Sequence, residues 1–551
     1  MCGIILAFTK NGTINVAAMQ TALAMISHRG PDSTTFEYAA TDSAQFFLGF
    51  VRLAIMDATH ASDQPIRHKD VSVLCNGEIY NSREIYPDPD RFTNDCAGLA
   101  EYLHSTNFEP GSITEALNRI RGVFGMIAVN KDTNQIIVAR DPLGVRPIFY
   151  AVEHDVLYVA SEGKALINLL DFSEDGEDTI RELGPGDWFD ENLTLRSYYS
   201  LPTEPQMSLS IPAAFCHTSA LIVQAVQRRI HSSRPRAYLL SGGVDSSAVA
   251  AIAAKLEAVE NPGTQIHTYS IGFSNSADLI AARKVAEHIN SIHHEYVITY
   301  DQALAAIPEV IINNESHDQT TTRASTPMYL LLKHIRETSP ARVVYSGEGA
   351  DEIFGGYLYF HKAPDHAAAF AESRRLVSEL PWYDVRRTDR CCAGNGLEAR
   401  VPLLDVDLVD FAMRLPWEYR RPREHTLSTG QTAVYEKWFL RMAFAQISPE
   451  LLPEDILWRP KVAFSDGVAS SESSWFGAIQ SHVSSMVGET NKSLSSLESQ
   501  WYRDIFDGEY DNGTDKRYEG VRYQWLPRWI STNGESSAMV FAETIHAGAH
   551  A

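Results

Sequence analysis

Hydrophobic residues follow two rhythms along this chain, and the change falls near residue 210. Before it, apolar residues come in short runs or at every second position: 3–8, 52–57, 71–75, 124–130, 135–139, 148–152 and 156–160. Runs of that length rich in Val, Ile and Phe predict β-strands, so the first 200 residues predict a β-rich layer with helices beside it. The stretch 200–212 holds three prolines and no periodicity, and it reads as a linker. Beyond it, apolar strands recur at 237–240, 267–271, 294–298 and Val343–Tyr345. Helix-spaced residues lie between them, Val249, Ile252, Ala253 and Leu256, then Leu279, Ala282, Ala286 and Ile289. This alternation predicts a doubly wound parallel α/β domain, whose ligands gather at the carboxyl ends of the strands. The expected division is residues 1–200, a linker at 201–212 and a second domain over 213–551.

The strand at 237–240 runs into Ser241-Gly242-Gly243-Val244-Asp245-Ser246-Ser247 and then a helix. Two glycines let backbone amides face inward, and the helix N-terminus adds partial positive charge, so the turn suits phosphate oxygens. The loop has no lysine and carries the carboxylate Asp245, which makes sense beside phosphates when Mg²⁺ lies between them. A second loop, Ser346-Gly347-Glu348-Gly349-Ala350-Asp351-Glu352, follows the strand ending at Tyr345. Asp351 is assigned to magnesium and Glu348 to proton transfer. Taken alone, each loop also reads as a Gly-rich connection with a capped helix start.

The chain begins Met-Cys-Gly-Ile-Ile-Leu-Ala-Phe. With Met1 removed, Cys2 carries both a thiol and a free amine of pKa near ~8, so nucleophile and base come from one residue. Asn76 and Gly77 offer the amide donors that stabilise an oxyanion, although Asn-Gly is also a hairpin signal. Arg52 suits a substrate carboxylate, and Glu78 and Asp95 suit its ammonium, which together describe an α-amino acid pocket.

Charge and cysteine content narrow the class. A formal net charge of -23 disfavours a nucleic-acid partner. Six cysteines without a CxxC pair support neither a disulfide framework nor a zinc site. No apolar run approaches membrane-spanning length, and Met1 to Phe8 lacks a basic n-region, so no membrane partner is expected and the cytoplasm is the expected location.

The order MCGI, HRGPD, RLxIxD, NGEIYN and RDPLGVRP resembles the class II glutamine amidotransferase domain, an N-terminal nucleophile fold of two antiparallel sheets between helices. That resemblance implies Cys2 as nucleophile, Asn76 and Gly77 as oxyanion hole, and Arg52, Glu78 and Asp95 as glutamine-binding residues. Ala97 departs from the acidic residue this family commonly shows. The string SGGVDSS resembles the pyrophosphate loop of ATP pyrophosphatases. Together with TTTRASTPMYL, SGEGADEIFGGYLYFHKAP, GLEARVPLLD and WRPKVAFSDG it is similar to the glutamine-hydrolysing asparagine synthetase family, in order along most of the chain.

The resemblance implies ATP and pyrophosphate on Leu240, Ser241, Gly242, Gly243, Asp245, Ser246, Ile271, Ser346 and Gly347. It implies Mg²⁺ on Asp245 and Asp351, and aspartate or its adenylate on Thr321 and Arg323. Glu348 then deprotonates ammonia and Lys461 stabilises charge at adenylation. The implied partners are glutamine, aspartate and ATP, with ammonia carried between the sites, and a homodimer is common in the family. An amide-forming ligase with another carboxylate acceptor is the alternative. The Ser-rich stretch 468–520 gives no pattern, and the run after Trp529 differs from the family's usual tail.

Overall fold

The computed structural model describes residues 1–170, 180–469, 474–487, 493–510 and 525–529. The N-terminal half carries strands β1 (Gly3–Thr9), β2 (Ser33–Ala40), β3 (Gln45–Arg52), β4 (Ile66–His68), β5 (Val71–Ile79) and β6 (Gly122–Asn130). They continue with β7 (Gln135–Arg140), β8 (Phe149–Glu153), β9 (Val156–Ala160), β10 (Arg181–Glu182), β11 (Asp187–Asp190) and β12 (Leu195–Ser197). Two six-stranded antiparallel sheets result, ordered β10-β8-β9-β1-β3-β2 and β12-β11-β7-β6-β5-β4.

Strand β1 explains the stacking. Ile4, Leu6 and Phe8 join Phe46, Leu74 and Ile127 in the layer between the sheets, while Ile5 and Ala7 meet Met19 and Leu23 of α1 (Val16–Met25). Alternate residues therefore enter two different cores, and the strand reads as an unbroken apolar run. On the far side Leu99, Leu103 and Leu117, from helices Leu99–His104 and Pro110–Arg119, cover Val73 and Cys75. This is the expected α-β-β-α sandwich.

The C-terminal half is a parallel sheet of β13 (Arg236–Leu239), β14 (His267–Gly272), β15 (Ile292–Val297), β16 (Val343–Tyr345) and β17 (Glu398–Arg400), ordered β15-β14-β13-β16-β17. Among its helices are α2 (Ile211–Arg228), α3 (Val244–Glu260), α4 (Ala277–His288), α5 (Gln319–Thr338) and α6 (Asp384–Gly394). The connections from β13 and β16 lead in opposite directions, so a crevice opens between their carboxyl ends.

Three expectations change. The strand expected over 52–57 ends at Arg52, where the side chain turns back to bond the following loop. The linker stops at Ser210, which caps α2 and leaves Pro212 in its first turn, where a missing N–H costs nothing. Within the unpatterned stretch, Leu494–Tyr510 is a helix that buries Leu497, Tyr502, Phe506 and Tyr510, a stripe diluted by serines in the sequence. The run from Ile530 onward lies outside the described residues. Among the described residues no helix is long and apolar enough to cross a membrane.

Two candidate active sites

The first site grows from the ends of β1 and β5. Cys2 packs against the layer between the sheets; its thiol donates to the Leu53 carbonyl at 3.7 Å and its carbonyl accepts from Arg29 Nε at 2.8 Å. Met1 precedes it, and the Met1 ammonium donates to the Leu397 carbonyl at 2.8 Å. Burial pulls the Met1 amine down to about 6 and pushes the Cys2 thiol up to about 11.

On β5, Val73 and Cys75 face the helices, so Leu74 and Asn76 face the opposite layer. Asn76 is fully buried, and neither its Oδ1 nor its Nδ2 has a hydrogen-bond partner among the described residues. An unpaired buried amide costs about 1–3 kcal/mol, so this one is poised for a ligand. Gly77 follows, its carbonyl accepting from Cys96 Sγ at 3.7 Å.

The three remaining residues of this group sit in different surroundings. Glu78 pairs with Arg400 at 3.2 Å, and Asp95 accepts from the Ile79 N–H at 2.6 Å. Burial, and then the charge of Asp95, push the Glu78 carboxyl well up, while burial pushes Asp95 up to about 6. Two such carboxylates are relieved by an arriving ammonium. Arg52 is already engaged: its guanidinium donates to the Thr59 carbonyl at 2.6 Å, to Asp63 at 2.8 Å and to the Asp57 carbonyl.

The second site is the crevice between β13 and β16. Ser241, Gly243, Asp245 and Ser246 line it from one loop and Ser346, Gly347, Glu348 and Asp351 from the other, with Leu240 and Ile271 at the strand ends. Gly243 caps α3 without a side-chain bond, which leaves first-turn N–H groups for an anion. Gly242 does not line the cavity. Its φ is +72, and a Cβ there would stand 2.4 Å from that of Ala281, so the glycine lets the turn lie on α4. At Gly347 a Cβ would meet the Ser246 nitrogen at 2.7 Å, so this glycine lets the loops touch.

Lys437, which no motif singled out, reaches between the loops. It donates to Asp245 Oδ2 and pairs with Asp351 Oδ1 at 2.8 Å, and Lys461 pairs with Asp351 Oδ2 at 2.8 Å. Against burial, the two ammoniums hold the Asp351 carboxyl well below the usual carboxylate range, and Asp351 and Asp245 push Lys461 up. Asp245 Oδ1 is buried with no hydrogen-bond partner among the described residues. Carboxylate oxygens on neighbouring loops fit Mg²⁺, with phosphate oxygens completing its shell. No cluster of three or more metal-ligating side chains occurs among the described residues.

Glu348 pairs with Arg387 at 2.8 Å and accepts from Ser346 Oγ at 3.3 Å, and burial pushes its carboxyl up. Arg459 donates to the Ser241 carbonyl at 3.1 Å and to Asp278 at 2.7 Å. Thr321 lines the cavity, but Arg323 does not. Its guanidinium forks onto buried Glu498 at 2.8 and 2.6 Å and lies over Phe476. Residues two apart on a helix are turned by about 200°, so one side chain of this pair faces away when the other faces in. The structure thus places the Arg323 guanidinium against Glu498 and Phe476 rather than among the residues that line the cavity. Lys437, which caps the helix Trp438–Ile447, and Arg387, inside α6, carry no local pattern that distinguishes them from other basic residues, whereas Arg459 stood inside the WRPKVAFSDG string.

Known families match both halves of the chain. The asparagine synthase family matches residues 217–383 and 371–533, and the glutamine amidotransferase domain matches residues 1–182. Asparagine synthetase [glutamine-hydrolyzing] from Gallus gallus is 36% identical over 98% of each chain. The proteins of that name from Cricetulus griseus and Homo sapiens are each 34% identical, again over 98% of both chains.

Proposed function

This chain belongs to the glutamine-hydrolysing asparagine synthetases and makes asparagine from aspartate with ATP and the amide nitrogen of glutamine, and from that premise we propose how its residues divide the work. The observation that carries the division is the convergence of the two Gly-rich loops, Lys437, Lys461 and Glu348 on one cavity, apart from Cys2 and the unpartnered Asn76.

Once Met1 is removed, the Cys2 amine takes the thiol proton and the thiolate attacks the glutamine amide carbon. Asn76 Nδ2 and the Gly77 N–H receive the oxyanion, ammonia leaves, and water releases glutamate from the thioester. Glu78 and Asp95 hold the substrate ammonium. Arg52 holds the carboxylate by exchanging one of its loop contacts for it.

In the crevice, the loop amides with Ser241, Ser246, Ser346 and Gly347 hold the phosphates, and Leu240 and Ile271 border the nucleoside. Asp245 and Asp351 would hold Mg²⁺, which would supply charge neutralisation to the phosphates. Aspartate, bordered by Thr321, attacks the α-phosphorus through its side-chain carboxylate, forming β-aspartyl-AMP and releasing pyrophosphate, with Lys461 beside the developing charge. Ammonia attacks the acyl carbon, Glu348 takes its proton, and AMP leaves. The raised proton affinity of Glu348 suits that task.

The domains in this reading are residues 1–200 and 213–551 joined through 201–212, with the first turn of α2 taken from the linker. Its partners are small molecules, with neither nucleic acid nor membrane, in the cytoplasm; the six free thiols suit a reducing compartment. A homodimer is part of the proposal, and light scattering tests it.

The test of the division uses Cys2→Ala. Asparagine formation from ammonium should persist while formation from glutamine disappears. Loss of both activities in a folded variant would refute it.

A further inference from the structure

The loops, the lysines and Glu348 account for one side of the crevice. The same cavity is also lined by Thr321, Tyr357, Tyr359 and Trp525, and only Thr321 has been given a task. Trp525 comes from the far end of the chain and is held in place from several directions. It is 6% exposed, and its backbone N–H donates to Asp318 Oδ1 at 3.0 Å. The other oxygen of Asp318 accepts from the Thr321 N–H at 2.7 Å, so one carboxylate ties the Trp525 backbone to the helix turn that carries Thr321.

The indole centroid lies 5.5 Å from the Tyr357 ring and 6.2 Å from the Tyr359 ring. Arg528 pairs with buried Glu372 at 3.1 Å, and the same carboxylate accepts the Tyr359 hydroxyl at 2.8 Å. Trp529 packs on Tyr359 and Phe360 at 5.9 and 6.2 Å. Both tyrosines facing the indole are pinned as well, since the Tyr357 hydroxyl donates to Glu352 at 2.5 Å.

An acid that is to be adenylated presents its carboxylate to the phosphate loops, and its remaining atoms extend away from them beside Thr321, whose helix turn shares the Asp318 carboxylate with Trp525. Resting on the assignment of this crevice to aspartate activation, we propose that Trp525 is the back wall of the acceptor compartment and sets the length of the dicarboxylic amino acid admitted. Rings held by neighbouring rings and by hydroxyl bonds to buried carboxylates resist moving aside for another methylene. One methylene in a fitted pocket is worth about 10- to 200-fold in discrimination.

The experiment measures pyrophosphate release by the full-length chain with ATP, Mg²⁺ and ammonium, offering aspartate or glutamate, for wild type, Trp525→Ala and Trp525→Phe. In Trp525→Ala the glutamate-to-aspartate ratio of kcat/KM should rise at least ~10-fold, and the aspartate KM should rise while the ATP KM stays within about twofold. Trp525→Phe, which keeps a ring and so guards against simple unfolding, should shift the ratio in the same direction by less. An equal fall in kcat for both acids with unchanged selectivity would overturn the proposal and leave the indole a purely structural residue. No change in either variant would also overturn it. Absence of aspartate-dependent pyrophosphate release by the wild type would overturn the functional assignment itself, and this inference with it.

Discussion

At Cys2 the chemistry depends on one peptide bond. With Met1 attached, the amine beside the thiol is lost to an amide and the Met1 ammonium is bound to Leu397, while burial holds the thiol up at about 11. A chain that retains Met1 should therefore hydrolyse glutamine at least ~100-fold more slowly than the processed chain, as intact-mass analysis paired with glutaminase assays would reveal. Asn76→Ala should lower glutaminase turnover ~100- to 1,000-fold and leave ammonium-dependent synthesis intact.

Asp95 sets a pH dependence. Its carboxyl titrates at about 6 in the folded protein, so it is charged above that value and neutral below. Only the charged form accepts an ammonium, so the KM for glutamine should be level above pH ~7 and rise roughly tenfold per unit below ~6, as initial rates across pH would show. The folded value exceeds the unfolded one of ~3.9, so this group's contribution to stability is fullest below ~4 and is lost as pH rises through ~6. Residues inside dense strings, Cys2, Asn76, Asp245 and Glu348 among them, could be nominated from sequence because several residue types recur in order. Lys437 was not, since a buried lysine becomes distinct only when the fold places two carboxylates around it.

Among the elements, the turn after β13 brings Ser241, Gly243, Asp245 and Ser246 to the second site, and Gly242 is its tightest point. Gly242→Ala would place a Cβ 2.4 Å from that of Ala281 at a φ of +72, so the turn would have to lift off α4. The variant should lose ~1–3 kcal/mol of stability in urea unfolding and raise the KM for ATP. Four of the five parallel strands were legible from apolar runs. The fifth, Glu398–Arg400, was not, because three residues bearing two charges show no period; it is buried only because Arg400 satisfies Glu78 and Glu398 together. The start of α2 was missed because a proline looks like a break until it is seen in a first helical turn.

Across the whole molecule, helix α6 stands between the two sites. Its Arg387 pairs with Glu348, while Asp389 bonds Arg29 at 2.9 Å, and Arg29 donates to the Cys2 carbonyl. Arg390 ties the same helix to Glu162 at 2.8 Å and to Glu315 at 2.6 Å. None of this could be read from spacing, since the partners that α6 meets lie from 39 to 360 residues away. Breaking a buried pair leaves a charge uncompensated, at about 3–5 kcal/mol. Asp389→Ala should lose stability on that scale in denaturant melts and depress glutamine-dependent synthesis more than ammonium-dependent synthesis. The most direct test of the whole account is to supply the processed wild-type chain with ATP, Mg²⁺, aspartate and ¹⁵N-amide glutamine and identify the products by mass spectrometry. The account predicts ¹⁵N-labelled asparagine in step with AMP, pyrophosphate and glutamate. Labelled free ammonia and glutamate with AMP but no asparagine would contradict it, because a working nucleophile and a working adenylating site would then serve some other acceptor.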